Sequence, residues 1–140
     1  MSKIIDNLRF HFLFIDTYVF GSSWCFSENA VPYNMLRYIT SGNGVFYINA
    51  EQIRVSPGMI IYIPRGCSLS CMSCSEAFSF ISVRFTTSVT FDGDDILADY
   101  YAMPRSIRAE GEEIYFEQML QWVKSEDIAK MYFVRVIWTC

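Results

Sequence analysis

At 140 residues the chain is long enough for one domain with its own core, without metal or disulfide staples. With 52% of residues hydrophobic and 17% aromatic it is no disordered or solvating segment, and no apolar run approaches the roughly 18 to 20 residues of a membrane-spanning helix. The formal charge is −4 and the eleven Lys and Arg residues are scattered, which argues against direct contact with nucleic acid. Five cysteines, an odd number, and an N-terminus too polar for a signal peptide point to reduced thiols in a soluble, cytoplasmic protein.

In chain order, Phe10 to Phe20 is largely apolar and aromatic, Gly21-Ser-Ser breaks it, and Trp24-Cys25-Phe26 starts a second short strand. Tyr33 to Thr40 reads as a strand, and the turn Ser41-Gly-Asn-Gly44 leads into Val45 to Ile48, so a β-hairpin is expected across it. Asn49 to Gln52 turns the chain again before Ile53-Arg-Val55. Pro57-Gly58 then supplies a type II turn, Met59 to Ile63 is too short for a helix and β-branched enough for a strand buried on both faces, and Pro64-Arg-Gly66 closes it. Phe78 to Phe85 is a further strand, and the recurrence of short strands at even spacing predicts a small β-barrel.

Past Phe91 the periodicity changes. Asp92 to Asp95 is a turn, and Phe116, Met119, Leu120 and Val123 fall at helical spacing within Glu112 to Lys124, with acids at its start and a lysine at its end. Ser125 caps an expected second helix from Glu126 to about Trp138, and the two helices should form an antiparallel hairpin. The organisation expected is a barrel over residues 1–91 and a helical segment over 92–140. The chain stops in apolar sequence at Trp138-Thr-Cys140, which suggests that the natural protein continues.

Leu36-Arg-Tyr-Ile-Thr-Ser-Gly-Asn-Gly44 with Val45 to Ile48, then Pro57-Gly58 and Ile63-Pro-Arg-Gly66, resembles the N-terminal sensor domain of AraC-type bacterial transcription regulators, over roughly Tyr33 to Phe85. The resemblance implies a mainly β fold, a cupin barrel (double-stranded β-helix, jelly-roll) followed by a helical hairpin. It also implies a small-molecule effector inside the barrel beneath an N-terminal arm, a homodimer, and DNA contact only through a further domain that this chain lacks. A sugar or a carboxylate is the effector class in view. Phe116, Met119, Leu120, Trp122 and Val123 are the expected dimer surface, because they offer more apolar area than one helix needs to cover a barrel. A second helix covering them within the chain is the alternative.

Metal-binding cupins carry a His three residues after the second glycine of this pattern. Here that position is Leu69, the nearest equivalents of their Glu are Met35 or Arg37, and the chain's one histidine, His11, lies in the first strand as a packed or surface residue. No cofactor or metal is therefore expected, and no catalytic residue is assigned. A metal-independent cupin enzyme, such as a sugar isomerase or epimerase, is the second functional reading; it needs an internal general base.

Cys67-Ser-Leu-Ser-Cys71-Met-Ser-Cys74 has the cysteine spacing of radical S-adenosylmethionine enzymes, whose long α/β barrel and cofactor segment are absent. If extended, Cys67 and Cys71 stand about 13 Å apart, which is awkward for one cluster or one disulfide. The readings left open are small buried hydrophobes or a regulatory thiol or metal sensor.

For the ligand, alternation selects candidates. If Met35 faces inward, so do Arg37 and Ile39, while Leu36 and Tyr38 face outward. A buried Arg37 needs an anionic partner, from an internal acid or from a ligand; alternatively it faces solvent. By position in the family, Cys71, Phe80 and Ser82 are expected at the site, with Phe46 and Ile48 on the facing strand and Trp24 and Phe12 from the start of the chain.

Overall fold

The structure is a computed structural model that describes residues 10–87 and 104–124. Nine strands form two antiparallel sheets. β1 (Phe10–Phe20), β8 (Phe78–Thr87), β3 (Asn34–Ser41), β6 (Met59–Ile63) and β9 (Ser106–Arg108) make one, in that order. β2 (Cys25–Glu28), β7 (Leu69–Ser73), β4 (Gly44–Ile48) and β5 (Glu51–Val55) make the other. One helix, α1 (Glu113–Lys124), follows. The expected second helix, the Asp92 turn and the N-terminal arm lie outside the described residues.

The hairpin expected across Ser41 to Gly44 does not form. β3 pairs with β6 and β8, whereas β4 pairs with β5 and β7, so this turn carries the chain from one sheet to the other. The crossing is tight: Gly42 has φ +75°, and a Cβ on Gly44 would stand 2.8 Å from the Met72 carbonyl oxygen and 2.9 Å from the Phe78 ring. The observed hairpin joins β4 to β5 through Asn49 and Ala50 alone, with φ of 49° and 70°, the signs of a type I′ turn.

Period-2 alternation sets the two faces of the larger sheet. Met35 and Ile39 of β3, Ile61 and Ile63 of β6, and Phe78 and Phe80 of β8 point between the sheets, where they meet Phe46, Ile48, Leu69 and Cys71. Ile15, Ile60, Ile81 and Val83 point outward, and α1 covers them with Phe116 and Met119. β6 therefore contributes to both clusters and is buried along nearly its whole length. At about 1.5–3 kcal/mol for each large apolar side chain removed from water, these two layers hold the fold.

Two expectations change here. Phe116 and Met119 are 7% and 2% exposed, against the barrel, so neither is available to a second copy; Leu120 packs beside them, and nothing is described of the Trp122 and Val123 side chains. Phe12 packs with the outer cluster, not the interior, because an extra residue between Phe12 and Phe14 reverses the alternation along β1. β9, from beyond the expected boundary at residue 91, adds an edge strand to β6.

Candidate functional site

Three rows of side chains run across the inner face of β1, β8 and β3. Register places Phe14, Arg84 and Met35 in one row, Asp16, Ser82 and Arg37 in the next, and Tyr18, Phe80 and Ile39 in the third. On the facing sheet Cys71 lies between Phe26 and Phe46, and Leu69 between Glu28 and Ile48. The end strands β1 and β2 are joined by residues 21–24. At inward register positions on these two end strands, Phe14 and Phe26 are 43% and 40% exposed, so the seam between the end strands is open to solvent at these residues.

The structure brings the sequence-selected residues together. Met35, Phe46, Ile48, Cys71 and Phe80 share the inner cluster, Trp24 packs on it, and Ser82 faces the Met35 sulfur at 3.8 Å. Trp24 stands in the turn before β2, stacked on Phe20 with centroids 4.0 Å apart. These rings, with Tyr18, Phe78 and Phe80, form one continuous aromatic lining.

Arg37 is the exception in this apolar interior. It is 8% exposed, and its guanidinium carbon lies 4.6 Å from the Phe80 centroid and 5.4 Å from that of Phe46. Its Nη1 donates to the Cys71 sulfur at 3.4 Å and its Nη2 to the Met35 sulfur at 3.8 Å, both weak acceptors, and its Nε is buried without a partner. Burial holds the guanidinium below its ordinary pKa, with Cys71 opposing that shift and the nearby Arg84 adding to it. Burial also pushes the Cys71 thiol up to about 11 despite Arg37, so near neutral pH it remains a thiol and supplies no counter-charge.

Arg84, which the sequence reading passed over, is the second cation. Its Nη2 donates to the Tyr18 hydroxyl at 3.0 Å, its carbon lies 5.0 Å from the Tyr33 centroid and 5.6 Å from that of Phe14, and its Nε is also buried without a partner. The signal was present: alternation from Phe80 through Ser82 continues to Arg84. Asp16, in the same row as Arg37, accepts the Thr17 backbone N–H at 2.8 Å and pairs with neither guanidinium.

The other expectations are distributed as follows. His11 is exposed on β1. Cys67 and Cys71 are buried, as small hydrophobes would be, while Cys74 is exposed. Among the described residues no three His, Cys, Asp or Glu side chains gather as a metal site would need. At the positions where the resemblance to metal-binding cupins puts donors, this chain has Leu69, Met35 and Arg37, and Leu69 and Met35 offer a divalent cation no nitrogen or oxygen ligand. Outside the barrel, Leu36, Ile60, Tyr62, Pro104, Ile107 and Phe116 line an apolar groove of about 260 Å³. No helix among the described residues is long and apolar enough to cross a membrane.

A family model described as the AraC-like ligand binding domain matches residues 17–126. No curated protein matches the chain. Among solved structures, a protein described as a predicted oxalate decarboxylase from Thermotoga maritima superposes with TM-score 0.50 at 17% identity, over 61% of this chain and 75% of that one. A cupin superfamily protein from Desulfitobacterium hafniense gives TM-score 0.48 at 15% identity, over 56% and 77%. A Photorhabdus luminescens protein gives 0.47 at 20%, over 50% of this chain, which spans 59% of that protein's length. These likenesses bear on the fold alone, a cupin barrel.

Proposed function

The chain belongs to the AraC-like ligand binding domain family, and from that premise we propose that it is the effector-binding and dimerisation part of a transcription regulator, taking a small molecule inside a metal-free barrel. The observation that carries this reading is the gathering of Arg37, Phe46, Cys71, Phe80 and Ser82 on facing inner strands beside a solvent-reaching seam. Such a mostly apolar site with a few polar handles suits a small organic molecule. An effector that binds one arrangement of the domain better than another shifts the population between them, and that shift is the signal.

Binding rather than catalysis is the reading that the available groups support. The buried polar residues among those described are Asn34, Arg37, Ser79 and Ser82, and the carboxylates at inner-face positions, Asp16 and Glu28, are only partly buried on the end strands. DNA contact is assigned to a domain outside this chain, and pairing of two copies to surfaces other than Phe116 and Met119. Equilibrium sedimentation tests the pairing: a dimer mass supports it, and a single-copy mass at high concentration contradicts it.

A thermal-shift screen against sugars, carboxylates and aromatic metabolites tests the binding reading, because a ligand that binds only the folded state raises its melting temperature. The expected result is a concentration-dependent rise with at least one class. Melting that is indifferent to all three classes contradicts it.

A further inference from the structure

We propose that the ligand of this barrel is a small organic anion, an apolar body bearing one carboxylate, with Arg37 and Arg84 holding its charged end. The inference rests on the barrel being the ligand site and goes on to name the class of molecule that enters it.

Arg37 is more than nine-tenths buried, and each described group it touches is uncharged: two sulfur atoms and two ring faces. Arg84 stands one row along the same inner face, opposite Met35, and among the described residues the Tyr18 hydroxyl is its one hydrogen-bond partner. Among the described residues no Asp or Glu forms an ion pair with either guanidinium, and Asp16, the acid on the adjoining strand, is bonded to its own neighbour. Two like charges thus share this inner face, and the described acids at inner-face positions, Asp16 and Glu28, are only partly buried and pair with neither. A cation removed from water needs a counter-charge, and here the unfilled one belongs to a ligand.

The vacant donors indicate its form. In both arginines the Nε–H is buried without an acceptor, and an Nε–H beside an Nη–H is the fork that a carboxylate fits with two parallel hydrogen bonds. A sugar supplies hydroxyls but no charge. The remainder of the molecule meets Trp24, Phe46 and Phe80, so it is apolar, and a flat ring suits it.

Calorimetric titration of the chain with phenylacetate and octanoate, each beside its amide, tests the assignment. At least one carboxylate is expected to bind, its amide about 10-fold or more weakly, and Arg37→Met is expected to weaken the carboxylate about 10- to 100-fold while leaving the amide unchanged. Arg84→Met, nearer the seam, gives a smaller loss in the same direction and keeps the test open if the first variant misfolds. Amides binding as tightly as carboxylates, or carboxylate affinity unchanged in both variants, overturns the anion and leaves the barrel as a ligand site for neutral molecules. Failure of both carboxylates to bind also overturns it, and the broader thermal screen judges the barrel separately.

Discussion

The guanidinium of Arg37 lies 4.6 Å from the centre of the Phe80 ring, with no acid among the described residues to neutralise it. A ring face returns about 2 kcal/mol to a desolvated cation, whereas burying an unpaired charge costs several kcal/mol, so the unliganded protein is destabilised at this residue. Arg37→Met is therefore expected to raise unfolding stability by about 1–4 kcal/mol while weakening binding of a charged effector about 10- to 100-fold. Denaturant unfolding of both proteins checks it; a less stable variant contradicts it.

Cys71 gives a pH dependence. Its thiol is raised from 9.0 to about 11 in the folded protein, so the unfolded chain loses this proton first as pH rises. The stabilisation is complete below about pH 9 and is lost as pH climbs through about 11, by about 3 kcal/mol at most. Cys71→Ala should lack this part of the alkaline decline. In the native protein at pH 8, a maleimide should modify the exposed Cys25 and Cys74 and leave Cys67 and Cys71 until unfolding, which peptide mass spectrometry reads directly.

Gly44 should tolerate no side chain. An added methyl meets the Met72 carbonyl oxygen at 2.8 Å, and that backbone is fixed by pairing of β7 with both β2 and β4. Gly44→Ala is expected to cost about 2 kcal/mol or more, whereas Gly21→Ala, with nothing within 4 Å, should stay within about 0.5 kcal/mol of the parent. Equal midpoints in urea for the two variants would contradict the tight inter-sheet crossing.

Much of this barrel was legible in the sequence because the signals were local. Pro57-Gly58 and Pro64-Arg-Gly66 bracket β6 where the turns suggest, and with Met35 inward, alternation places Arg37 and Ile39 with it. What local signals do not carry is which strands pair. Ser41 to Gly44 has the composition of a hairpin turn, yet it crosses between sheets, because the burial of Phe46 and Phe78 against each other outweighs pairing of β3 with β4. β9 was missed because three residues, Ser-Ile-Arg, give too short a period, and its pairing is set by β6. At the site, Ser82 was selected and Arg84, two residues on, was not, although one strand face carries both.

Met119 separates a helix that completes the fold from one held in reserve for a partner. At 2% exposure against Ile15, Ile60, Ile81 and Val83, Met119→Ala should cost about 2–5 kcal/mol, with no dependence on protein concentration. Ile114→Ser, at a half-exposed position on the same helix, should change stability by less than about 0.5 kcal/mol. A cost for Met119→Ala that disappears on dilution would return the residue to an interface between copies.

A small molecule held within the barrel at Arg37 is read out by the arginine side-chain Nε–H resonances of the ¹⁵N-labelled chain during titration with phenylacetate and octanoate. Arg37 is expected to show a large downfield shift and slowed solvent exchange, and Arg84 a smaller shift, as each vacant Nε–H gains an acceptor. An unmoved Arg37 signal, with changes confined to Leu36, Ile60 and Phe116 on the outer groove, would contradict it.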